Sequence, residues 1–175
     1  MTTPISTSPH PAAQLYRRWL APVVRLMRNL PYSPLAFLAR FSIAAVFWQS
    51  GQTKVQGLAI NLVSGTFELG WPRLADGVID LFESEYQLPV LSPELGATLA
   101  ALGEHVFAVF ILLGLATRFS ALALLGMTAV IQLLVYPGAY PTHGVWASVL
   151  LLLMMQGPGQ WSLDHWIATK GSPSA

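Results

Sequence analysis

Nearly unbroken apolar runs cover residues 35–56, 94–115, 119–136 and 142–156, and Gly, Pro and charged residues collect between them. A helix needs roughly 20 apolar residues to cross about 30 Å of hydrocarbon at 1.5 Å per residue. The pattern therefore predicts four membrane-spanning helices, the fourth of them short. Pro34 and Pro93 suit first-turn positions, whereas Pro137 to Pro141 and Gly157-Pro158-Gly159 end helices. Only Ala116, Thr117 and Arg118 join the second and third runs. So short a connection makes those helices antiparallel neighbours.

Outside the runs the periodicity changes. Residues 1–13 have none and read as a disordered tail. From 14 to 30, Tyr16, Trp19, Leu20, Val23, Val24, Met27 and Leu30 fall on one helical arc and Arg17, Arg18, Arg25 and Arg28 on the other. A basic amphipathic helix just before a span lies in an anionic headgroup layer; Pro22 divides this one into two pieces. Gly65, Gly70, Pro72 and Pro89 interrupt the stretch 57–92 too often for it to span. Within it Leu74, Val78, Leu81 and Phe82 recur at helical spacing opposite Asp76, Asp80 and Glu83, which predicts a short acidic amphipathic helix, and 58–63 reads as re-entrant or interfacial. Ser162 can cap a last helix through Ile167, with Trp161 and Trp166 as interfacial anchors. The expected fold is all-α: an integral membrane four-helix bundle over 35–169, with an interfacial helix before it and a short extracytoplasmic helix within it.

Composition agrees. Of 175 residues 54% are hydrophobic and 10% charged, against about 25% charged in a soluble domain. With no cysteine, the chain can form no disulfide or thiolate metal site, and electron chemistry would need a bound cofactor or a partner protein. If the chain crosses four times, Arg17, Arg18, Arg25, Arg28, Arg118 and Lys170 share one side. That bias makes the side cytoplasmic, with both termini there. The first run has no small-residue cleavage pattern at its end and is expected to anchor rather than to be removed.

Glu104 and His105 stand in the middle of the second run. An acid at the bilayer centre costs at least about 2.5 kcal/mol, so it faces the bundle, pairs or stays protonated, and a functional role is the default reading. Both suit proton exchange. Neighbours on a helix point about 100° apart, so the two cannot aim squarely at one spot. Counted by axial rise, Gln49, Gln132 and Glu104 lie within a turn or two in height, with Lys54 and His143 at outer helix ends; together they would line one polar pocket open to the extracytoplasmic face. Each also has an ordinary explanation: the glutamines as interhelical glue, His143 as a solvated or capping group, Lys54 snorkelling to the surface, its alternative role as counter-ion to Glu104 being set back by the difference in counted depth. Arg40 and Arg118 have structural explanations as well, and no Met or His spacing supports a metal site. Nothing in the chain forms a nucleic-acid-binding face.

From Leu38 to Asp164 the chain resembles the DoxX family of small four-helix bacterial inner-membrane proteins. The resemblance is carried by Arg40, Phe47, Ser50, Gly51 and Lys54, then Leu99 to Glu104, then Leu113-Gly114-Leu115-Ala116-Thr117-Arg118. It ends with His143 and Trp146 leading to Gly157-Pro158-Gly159 and Ser162-Leu163-Asp164. It implies a quinone-linked redox role, since relatives include a subunit of thiosulfate:quinone oxidoreductase and membrane partners of thiol and oxidative-stress systems. Glu85-Tyr86-Gln87-Leu88-Pro89 is similar to members found beside genes for small metal-stress peptides. Three functions follow as expectations: a membrane subunit of a redox complex with quinone as cofactor and a protein partner, a small transporter component, or a non-catalytic anchor for an extracytoplasmic partner.

Overall fold

The computed structural model describes residues 15–61 and 64–170. The predicted tail 1–13 lies outside the described residues. The chain divides into two units, Met1–Tyr32 and Ser33–Ala175. In the first, a π-helical turn Tyr16–Leu20 runs directly into α1, Ala21–Arg28, and none of their residues is buried. Pro22 lies where the π-helical turn gives way to α1, but Leu20 and Ala21 keep helical backbone angles, so it marks a change of helix type and not a break.

The second unit is built on long helices. α2 is Tyr32–Gln52, α4 is Pro93–Leu113, α5 is Thr117–Val130 prolonged by a π-helical turn Ile131–Val135, and α6 is Tyr140–Gln156. The predicted limits shift by two to four residues at most ends. Among the described residues three helices are long and apolar enough to cross a membrane: Pro93–Leu113, Thr117–Val135 and Pro137–Gln156. α2 is as long as α4 but carries Ser33, Arg40, Ser42, Gln49, Ser50 and Gln52.

One buried cluster joins all four helices, through Ile43 and Phe47, Ala108 and Ile111, Ala121 and Leu124, and Leu150 and Leu153. α4 turns Gly96, Ala97, Ala101, Gly103 and Ala108 inward, while Leu95, Leu99, Leu102 and Leu112 stay exposed. Small residues inside and large apolar ones outside suit helices surrounded by lipid, where close backbone approach replaces hydrophobic burial as the force for association. This is a membrane protein by its surface as well as by its composition.

The all-α expectation fails between α2 and α4. β1, Val55–Asn61, pairs antiparallel with β2, Thr66–Leu74, matching Leu58 with Leu69 and Ile60 with Phe67, with a bulge between these pairs and that of Gln56 with Arg73. The reason is the period: Phe67, Leu69 and Trp71 alternate with Glu68 and Gly70, a strand pattern. The predicted acidic helix is present but shorter, as α3, Val78–Leu81, with a π-helical turn Phe82–Tyr86. Val78 and Phe82 pack on Ala97.

α2 and α4 are out of step. Arg40, in the first half of α2, reaches the carbonyl of Leu112 at the far end of α4, and Ser50 and Gly51 stand beside Glu104 and His105. Gln52 therefore ends α2 about 16 Å short of the Pro93 end of α4. Beside that remaining length of α4, Phe82 and Leu88 stand against Gly96.

Candidate functional site: an ion pair between α2 and α4

Glu104 and Lys54 are 2% and 5% exposed, and the Lys54 Nζ lies 2.8 Å from Glu104 Oε2 and 3.0 Å from Oε1. The Ser50 hydroxyl donates to Glu104 Oε1 at 2.9 Å. Lys54 also donates to the Ser50 carbonyl at 3.2 Å and to its Oγ at 3.1 Å. These contacts give the ammonium an acceptor for each of its three hydrogens. Lys54 follows α2 by a single turn, so its side chain folds back along the helix to meet mid-α4 instead of snorkelling. The counting of depth from helix ends had set the two apart because it took α2 and α4 as level.

His105 turns to the other side of the same α2 turn. Its Nδ1 lies 2.7 Å from the Ala101 carbonyl and its Nε2 2.8 Å from Gln52 Nε2. Gln52 Oε1 accepts from the Ile60 N–H at 2.7 Å, so the Gln52 amide must present its NH₂ to the ring. The ring is then neutral, with its proton on Nδ1 and donated to Ala101. Trp48 packs edge-on against it, with ring centroids 5.0 Å apart. Glu104 and His105 thus straddle Gly51, where a Cβ would come within 2.7 Å of the imidazole and 3.2 Å of the Glu104 Cβ. Any larger residue there would push α2 off α4.

Gln132 and His143 form a second polar pair. Gln132 Nε2 donates to the Pro137 carbonyl at 2.7 Å, leaving Oε1 to accept from Nδ1 of His143 at 2.8 Å. His143 is buried against Trp146, not solvated. Gln49 is a correction: it is exposed and takes no place among these groups. The expected five-residue pocket is therefore two hydrogen-bonded groups with Gln49 outside them. Sequence reasoning missed Ser50, Gly51 and Gln52 as site residues; the small Ser50-Gly51 pair at a helix end facing the acid was the available signal.

Above the π-helical turn of α5, the Tyr136 hydroxyl donates to Glu85 Oε1 at 2.5 Å, and the Tyr86 ring packs edge-on to Tyr136. The bond to Glu85, then burial, raises the Tyr136 phenol above its ordinary range. Burial, followed by the negative charge of Glu104, raises Tyr86, while its hydrogen bond with Tyr136 pulls the other way. Both phenols stay protonated at neutral pH and serve as donors.

At the opposite end of the bundle the turn between α4 and α5 is locked. Arg40 donates from Nη1 to the Leu112 carbonyl at 2.8 Å and from Nη2 to that of Trp161. Asp164, near the start of α7 (Leu163–Lys170), accepts from the N–H groups of Ala116 at 2.7 Å and Thr117 at 2.9 Å. One side chain thus satisfies the carbonyl end of α4 and another the amide end of α5. Arg118 is exposed beside Gly157.

Of the residues that carried the family resemblance, Ser50, Gly51, Lys54 and Glu104 meet at the ion pair, Arg40, Gly114, Ser162 and Asp164 at this turn, and His143 and Trp146 at the second polar pair. The sequence model of the DoxX family matches residues 35–137, which takes in α2, the hairpin, α4 and α5 but not α6 or Asp164. No curated protein and no solved structure matches the chain. With more than half of its length covered by that match, the chain belongs to the DoxX family.

Proposed function

We propose that this protein is a membrane subunit of a quinone-linked redox system, in which Glu104, Lys54 and His105 hold the quinone headgroup and handle its protons. The observation that carries the reading is a complete ion pair, with a neutral imidazole on the adjacent residue, buried halfway along a helix long and apolar enough to cross a membrane. Ionisable groups at that depth are costly and are kept for pathways and relays. A quinone carbonyl can replace a serine oxygen on Lys54, and Glu104 is the adjacent proton acceptor. The chain has no thiol, so the electrons come from a protein partner, at the inner membrane and in oxidative or metal stress as the family resemblance implies. In this reading α2 crosses as a fourth span, both termini are cytoplasmic, and the basic helix of the first unit lies on the membrane surface.

The test is quinone content, by mass spectrometry, of wild-type protein against the Glu104→Gln/Lys54→Met double variant, which leaves no charge unpaired. Wild type should carry quinone and the folded double variant at least tenfold less. Equal content, or none in wild type purified from quinone-containing membranes, overturns the reading. A second reading has its own observation: the three hydrogens of Lys54 are already matched, as in a fixed lock between helices. A non-catalytic anchor would then tolerate the double variant in vivo.

A further inference from the structure

The β1–β2 hairpin presents Phe67, Leu69 and Trp71 at 64%, 80% and 90% exposure, every second residue along β2. Leu58 and Ile60 pair with Leu69 and Phe67 and so extend the same face. An apolar surface of this kind needs an occupant. We propose that it is the lipid of this protein's own membrane: the hairpin is a monotopic element, its apolar face set into the boundary between headgroups and acyl chains.

Three observations choose lipid. The hairpin grows from the end of α2, which stops level with Glu104, about 16 Å short of the Pro93 end of α4. It therefore begins beside a length of α4 on which Leu95, Leu99 and Leu102 are exposed as well. Next, on the outward edge of β1 the Ile60 N–H donates to Gln52 Oε1 and the Ile60 carbonyl accepts from Trp48 Nε1 at 2.9 Å, so both of its backbone groups find partners within the protein. Non-helical backbone near hydrocarbon requires such internal partners, and the backbone groups along β2's outer side keep the hairpin at the boundary, where water reaches them. Finally, the composition is that of an interfacial element, with Trp and Phe on one register, Glu68 on the other and Arg73 within snorkelling reach of headgroups.

The chain has no cysteine, so single spin labels can be placed without removing any native residue's thiol. Labels at Leu69→Cys, Trp71→Cys and Glu68→Cys in lipid nanodiscs are read by collision with oxygen, which concentrates in lipid, and with a water-soluble nickel chelate. Oxygen should dominate at 69 and 71 by at least threefold over the ratio at 68. Nickel dominance at 69 and 71, or shielding from both reagents as under a protein partner or a second copy, overturns the proposal. Phe67→Cys carries the same readout should Trp71→Cys fail to fold.

Discussion

Replacing Glu104 with Gln leaves the Lys54 ammonium buried with only the oxygens of Ser50 and a neutral amide to face. Breaking a buried pair from one side costs about 3–5 kcal/mol, whereas removing both charges together is often neutral. Glu104→Gln and Lys54→Met should each lower the unfolding midpoint in detergent, followed by circular dichroism, and the double variant should recover most of the loss. A double variant as unstable as the sum of the singles would mean that the two do not act as a pair. Much at this scale was legible in the chain. An acid in the middle of an apolar run has to find a partner, and that much can be argued from residue 104 alone. Its partner's identity could not, because the depth of Lys54 depends on the register of α2 against α4. Gly51 sets that register by admitting His105 at a distance no side chain would allow. A glycine in a sequence announces room without saying what fills it.

Gly114 is the corresponding point between elements. It closes α4 at φ +68°, and a Cβ there would come within 2.5 Å of the Ser162 Cβ and 2.6 Å of Arg40 Nη1. Gly114→Ala therefore meets both an unfavourable backbone region and a collision with the two groups that lock the turn. It should cost at least about 2 kcal/mol, more than Asp164→Ala, which removes the acceptor for two amide hydrogens at the start of α5 and should cost about 0.5–2 kcal/mol. Thermal unfolding of both variants checks the order; a neutral Gly114→Ala would mean that the turn yields freely. The short Ala116-Thr117-Arg118 link predicted this antiparallel pair correctly, because few residues leave few geometries. The hairpin was not recovered, since Gly57, Gly65, Gly70 and Pro72 read as interruptions of a helix. In a strand pair, glycines instead fall at turns and at the bulge, and the alternation of Phe67, Leu69 and Trp71 carried the true period.

For the molecule as a whole, the stagger of α2 against α4 decides which groups meet at each level. The Ser33 hydroxyl accepts from the Gln160 N–H at 3.1 Å, and Asp164 is bonded to Gly114, Ala116 and Thr117, so the start of α2, the α4–α5 turn and the segment after α6 gather at one end. From there α2 reaches only to the level of Glu104, and the rest of the distance to the Pro93 end is filled by the hairpin and by α3, whose Phe82 meets Gly96. α2 carries more polar residues than the other three long helices. The orientation expected from Lys and Arg puts Arg118 and Lys170 on the cytoplasmic side, with Arg73 and Lys54 toward the other. Single cysteines at Ser84 and Gln160 should then react from opposite sides, Ser84→Cys with a membrane-impermeant maleimide in intact cells and Gln160→Cys only in inverted vesicles. Labelling of both from the same side would leave α4, α5 and α6 without an odd number of crossings between them, and the lipid placement of their exposed leucines would fail with it.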